Sequence, residues 1–170
     1  MGQGIVSLSA FVLNLYVINA ANGFIKQGYG VASGKSNDVR FPKGTVSMQI
    51  PFFTQSGLDL SAFFPGTLNV SFPEYSYQLG EAQYFFPLVK WSNDLPPENF
   101  SFFSCTLQVP PLNKSYDALI YWPHPSTKPG FHQDPNVLEI LAPQINELKY
   151  GDEIIVFADV QSVRFISGFA

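Results

Sequence analysis

The sequence predicts an all-β domain: a small closed barrel with one or two short helices. Three observations carry that expectation. Of the 170 residues 46% are hydrophobic and 16% aromatic, against 13% charged, so one domain can bury a substantial core. From Gly28 onward, short runs of β-branched and aromatic residues alternate with Pro, Gly and Asn. Helical periodicity is scarce, and many short strands with little helix favour a closed sheet, because closure removes exposed edges.

Turn residues bound each expected strand. Tyr29–Ser33 stops at Gly34, and Thr45–Ile50 lies between Gly44 and Pro51. Thr67–Phe72 leaves the Pro65-Gly66 corner and stops at Pro73, and Gln83–Trp91 follows Gly80. Phe100–Val109 ends at Pro110-Pro111, Asp117–Trp122 at Pro123, and Val137–Leu141 before Pro143. Glu153–Ala158 follows Gly151-Asp152, and Ser162–Ile166 precedes Gly168. The best helical stretch lies between Pro51 and Phe64, where Phe52, Phe53, Leu58, Leu60 and Phe63 roughly share a face and Gly57 weakens it. Gln144–Leu148 suits a single turn.

The first twenty residues are apolar and uncharged, yet no Lys or Arg precedes the run as a secretory leader requires. Ile5 to Ala21 is at the short limit for a membrane span and contains Ser, Asn and Tyr. Residues 1–22 are therefore expected to be an extension, with a leader or anchor as the second reading, and residues 28–167 to be the barrel. Triplets of the glycosylation type at Asn69, Asn99 and Asn113 would matter only in a secreted chain.

A net charge of −4 and nine scattered Lys and Arg supply no basic field, so nucleic acid is not an expected partner. Nor is a membrane expected for the barrel. Cys105 stands alone in an apolar run, which excludes an intrachain disulfide and points to a buried thiol in a reducing, cytoplasmic setting. His124 and His132 fit no metal-ligand spacing. The nucleophile elbow, the Walker loop, the dinucleotide glycine fingerprint and the His-Glu-x-x-His pair are all missing. Glu139, Glu147, Asp152 and Glu153 all read equally well as surface charges.

Two polar stretches hold more information. Behind Pro65-Gly66, Thr67 and Asn69 are two apart and so share one face of a strand, opposite Leu68 and Val70. Two hard neutral oxygens suit a magnesium ion that keeps most of its waters and takes its other ligands from phosphate. From spacing alone, a polar edge-strand face is the simpler reading. Gly34-Lys35-Ser36-Asn37-Asp38 can bring backbone N–H groups to an anion, or can be a surface turn. The proline-stiffened loop Pro123–His132 suits the wall of a pocket for a flat ring.

In order, Pro65-Gly66-Thr67-Leu68-Asn69-Val70, Tyr116-Asp117-Ala118-Leu119-Ile120, the proline-rich loop, Val137-Leu138-Glu139-Ile140-Leu141-Ala142-Pro143 and the Gly151-Asp152 turn resemble the archaeal CTP-dependent riboflavin kinases. The resemblance runs roughly from Gly28 to Phe157. It implies a cradle-loop barrel that uses magnesium and CTP to phosphorylate riboflavin to FMN. By the same resemblance, Thr67 and Asn69 would ligate magnesium. Gly34, Lys35, Ser36, Arg40, Ala142, Pro143 and Gln144 would meet the nucleotide, and Thr127, Asp134 and Asn136 the flavin. No catalytic residue is assigned. There are departures: the phosphate loop keeps only its first glycine, Gln144-Ile145 stands where the family has Leu-Arg, and Asn136 or Asp134 replaces the family's flavin-binding glutamate. A barrel that binds a flavin or nucleotide without phosphotransfer is the alternative. A secreted β-domain is the third reading.

Overall fold

The computed structural model describes residues 17–168. Its strands are β1 (Val17–Ile18), β2 (Ala20–Lys26), β3 (Leu68–Ser71), β4 (Tyr75–Leu79), β5 (Tyr84–Val89), β6 (Glu98–Val109), β7 (Lys114–Pro123), β8 (Val137–Leu141), β9 (Glu153–Phe157) and β10 (Val163–Ser167). One α-helix, α1 (Thr45–Gln55), and a 3-10 turn at Pro110–Leu112 complete the regular structure of the described residues. No helix among them is long and apolar enough to cross a membrane.

The strands β6, β7, β8, β3, β2 and β9 pair in that order, all antiparallel, and β9 returns to β6, so six strands close into a ring. Such closure satisfies strand backbones that would otherwise be exposed at an edge. β5 hangs on β6 outside this ring, and β1, β10 and β4 form a separate three-stranded sheet. The chain is mostly β and barrel-like, as its punctuation of short strands predicts.

Strict alternation gives the wall two apolar faces. Ala118 and Ile120 of β7, Leu138 and Ile140 of β8, Val70 of β3 and Ile154 and Val156 of β9 point inward, together with Cys105 and Leu107 of β6. Val163 and Phe165 of β10 join the same cluster. On the outer face, Phe100, Phe102, Leu119, Tyr121 and Leu141 form a second core with Phe41, Trp91 and the α1 residues Val46 and Phe53. The Phe53 ring lies 4.9 Å from that of Phe102 and 5.1 Å from that of Phe100. Aromatic edge contacts therefore fasten α1 to the wall.

Several expected elements differ. Thr45–Ile50 is helical, because Val46, Gln49 and Phe53 recur at a helical interval and meet the outer wall; the β-branched start and Pro51 inside the helix conceal that period. The helix accordingly starts earlier than Pro51 and stops at Gln55. Tyr29–Ser33 forms no strand, since Gly30 (φ 74°) and Gly34 (φ 79°) bend it. Gln144–Leu148 is a turn without a helix. β4 was not expected. Neither was β2, whose Ala20–Lys26 brings the barrel in before Gly28 and claims residues 20–22 from the expected extension. Its inward position at Gly23 has to be small because a Cβ there would stand 2.6 Å from Val70. Within the same expected extension, Val17–Ile18 forms β1 against β10, which was not expected either, and residues 1–16 lie outside the described residues.

Candidate functional site

On the outer face of the wall, beside the second core, lies a cavity of about 910 Å³. The three polar loops converge on it: Lys35 and Arg40 from the first, Gly66 to Asn69 from the second, and Pro123, Lys128 and Phe131 from the third. Across the mouth, the Tyr29 and Phe131 rings meet edge to face at 5.5 Å, and the Tyr29 hydroxyl donates to the His132 carbonyl. The segment that leads into the first loop is thereby tied to the third.

Thr67 and Asn69 face the cavity while Val70 faces the barrel interior. Asn69 is only 8% exposed and sits opposite Glu139 in the β3–β8 ladder. The Thr67 hydroxyl donates to Glu139 Oε1 at 3.1 Å, Lys128 Nζ lies 3.4 Å from Glu139 Oε2, and Gln133 Nε2 donates to Asn69 Oδ1 at 2.8 Å. One hydroxyl, one amide oxygen and one carboxylate are thus gathered on adjoining strands. Hard oxygens of these types are the donors that magnesium takes, and here Asn69 Oδ1 already accepts from Gln133 and Glu139 is paired with Lys128. Gly28 leaves room for this arrangement, since a Cβ on it would lie 2.3 Å from Asn69 Nδ2.

Ala142, Pro143 and Gln144 line the cavity beside Gly66 and Phe64. The first loop is less open. Gly34 N–H donates to the Val31 carbonyl, Ser36 N–H to Gly30 and Asn37 N–H to Gly34, so these amides are already engaged. Neither Gly34 nor Ser36 lines the cavity. A Cβ on Gly34 would lie 2.8 Å from Gly44 N, which gives this glycine a packing role. Arg40 lines the cavity, but its guanidinium is paired with Asp38 at 2.8 Å. That hydrogen bond raises the Arg40 pKa and lowers that of Asp38.

The expected flavin-side residues sit outside the lining. Thr127 Oγ1 accepts from the Asn99 N–H, Asp134 pairs with Lys26 at 2.6 Å, and the Asn136 carbonyl accepts from Phe72 N–H. All three hold the edges of the third loop. His124 is engaged with Ser101 at 2.8 Å, and partial burial lowers its pKa.

The inner end of the cavity was not marked by sequence reasoning. Gln49, Trp91, Glu98 and Tyr121 line it, and all four are nearly buried. Burial pushes the Glu98 carboxyl pKa up, opposed by the hydrogen bond from Trp91 and the charge of Lys128. Burial also raises the Tyr121 hydroxyl well above its ordinary value. Glu98 follows Pro96-Pro97 and reads as loop; only its position two before Phe100, on the same strand face, signals that it turns toward the second core. No protein-family profile matches the chain, and no curated protein matches it in sequence.

Proposed function

We propose that this cavity binds a nucleoside triphosphate with magnesium and a flavin, and that the protein is a riboflavin kinase-like phosphotransferase, with CTP the donor implied by the sequence resemblance. The observation that carries this reading is the oxygen set Thr67, Asn69 and Glu139 on the same cavity as Ala142-Pro143-Gln144 and Lys35. Magnesium held by Thr67 and Asn69 would offset charge on the phosphate oxygens. In the transfer, the terminal ribityl hydroxyl oxygen bonds to the γ-phosphorus as the bond to the nucleoside diphosphate breaks, and the hydroxyl proton passes to a base. Glu139, hydrogen-bonded to Thr67, is the carboxylate nearest that oxygen set. Lys128 is paired with Glu139, and Lys35, on the cavity lining, would face the phosphates.

The test is incubation of the protein with riboflavin, magnesium and each of the four nucleoside triphosphates in turn, with FMN followed by chromatography. FMN is expected with CTP, and Asn69→Leu is expected to lower its formation by roughly a hundredfold while the unliganded melting temperature changes little. No FMN with any donor, or full activity in the Leu variant, overturns the reading.

One observation favours the second reading, a binding barrel without phosphotransfer. The N–H groups of Gly34, Ser36 and Asn37 serve the loop's own turns and Arg40 serves Asp38, which leaves the phosphates a poorer clamp. That reading expects riboflavin to bind without magnesium, and equally well to the Leu variant.

A further inference from the structure

We propose that the inner end of the cavity is a recognition subsite for the edge of a planar heterocycle carrying an N–H beside an acceptor atom, with Glu98 receiving the N–H and the Gln49 amide serving the acceptor. The inference deepens the reading of the cavity as a small-molecule site and rests on it. Glu98 is 3% exposed and Gln49 2%. Glu98 Oε2 accepts from Trp91 Nε1 at 2.7 Å, and Gln49 Oε1 accepts from the Tyr121 hydroxyl at 2.9 Å. Among the described residues, no hydrogen bond reaches Glu98 Oε1 or leaves Gln49 Nε2. Yet none of their fully occluded side-chain polar atoms is orphaned, so both groups open onto the cavity that they line.

A buried carboxylate is costly unless its oxygens are used, and a fixed one selects strongly for a donor. Trp91 and Tyr121 each clamp the opposite atom of the acceptor–donor pair, so the free oxygen and the free N–H are held in place. The surroundings are flat and aromatic: the Phe41 and Trp91 rings are 5.6 Å apart, and Tyr121 closes the wall. Aromatic walls with a few fixed polar groups suit a flat ring read along one edge. Two ring types share that edge chemistry: the imide of an isoalloxazine, with N–H beside carbonyl, and the aminopyrimidine of a cytosine, with an amino group beside a ring nitrogen.

The test titrates the full chain and its Glu98→Gln variant by calorimetry with riboflavin and N3-methylriboflavin, and, with magnesium, CTP and N4,N4-dimethyl-CTP. Of the parent rings that bind, one is expected to lose at least tenfold in affinity on methylation, and that arm names the occupant. Glu98→Gln keeps an acceptor for Trp91 but turns an N–H toward the ligand, so it is expected to lose at least tenfold for the parent ring and to lose the methylation penalty. Methylation without effect on either ring, unchanged affinity in a folded Gln variant, or no binding of either parent overturns the subsite. If the Gln variant does not fold, the methylated probes on the wild-type chain decide alone. FMN formation with no methylation penalty removes the subsite and leaves the kinase; a methylation penalty without FMN removes the kinase and leaves the subsite.

Discussion

At the scale of single residues, the site depends on a side chain that is missing. Gly28 has no positive φ to explain it, yet a Cβ there would stand 2.3 Å from Asn69 Nδ2 and 3.1 Å from Oδ1. The conflict is with the end of a side chain, so folding can absorb it by moving the Asn69 amide, whereas the proposed role of that amide oxygen as a magnesium ligand would not survive the move. Gly28→Ala is therefore expected to weaken magnesium-dependent nucleotide binding about tenfold, equivalent to about 1.4 kcal/mol. Calorimetry checks the affinity, and the melting temperature without ligand should change by no more than a few degrees. A variant that binds nucleotide as the wild type does would show that the Asn69 amide position is not set by this glycine. That Thr67 and Asn69 share one face was legible from an alternation of two. Glu139 was visible only as one of four interchangeable carboxylates, because the β3–β8 register that sets it opposite Asn69 is a long-range pairing.

Among the elements, α1 is the one whose removal would most directly open the cavity wall. It has no side-chain N-cap, carries Pro51 internally and has no acidic residue in its first turn or basic residue in its last, so its intrinsic helicity is poor. Packing has to hold it. Phe53 is 1% exposed and touches the rings of Phe86, Phe100 and Phe102. Phe53→Ala is expected to cost about 3–5 kcal/mol in denaturant unfolding, and riboflavin or CTP affinity should fall with it because Gln49 rides on the same helix. A loss below about 1 kcal/mol would mean that the helix is held elsewhere. This element also marks where sequence reading stops. The strands bounded by proline or glycine, such as Val137–Leu141, could be placed from their ends. α1 could not, since Thr45-Val46 favours a strand locally and only the apolar outer wall selects the helix. β2 was hidden for the opposite reason: Ala21 and Gly23 fill inward positions where the space admits little else, so no apolar run appears.

For the whole molecule, the wall is shared property. β7 and β8 give alternate residues to the inner core and to the second core, and Glu139 faces the cavity from the same strand that buries Leu138 and Ile140. A ligand bound on the outer face is then expected to stabilise the entire ring, raising its melting temperature with ligand concentration. The closure of that ring has a consequence in time. β6 and β7 form a local hairpin joined through Pro110–Leu112, whereas the β2–β9 seam sets Ala20 opposite Phe157, nearly the full length of the described chain. Joining so distant a pair carries a large loop-closure entropy, so the hairpin should organise in the folding transition state and the seam after it. Ile120→Val, in the hairpin, is expected to slow refolding, and Ile154→Val, at the seam, to speed unfolding with little change in refolding. Stopped-flow chevrons separate the two, and equal effects on both limbs would mean a diffuse transition state. The seam beside Gly28 would then be the last part of the barrel to form, so that a nascent chain assembles the candidate site only when β2 and β9 have met.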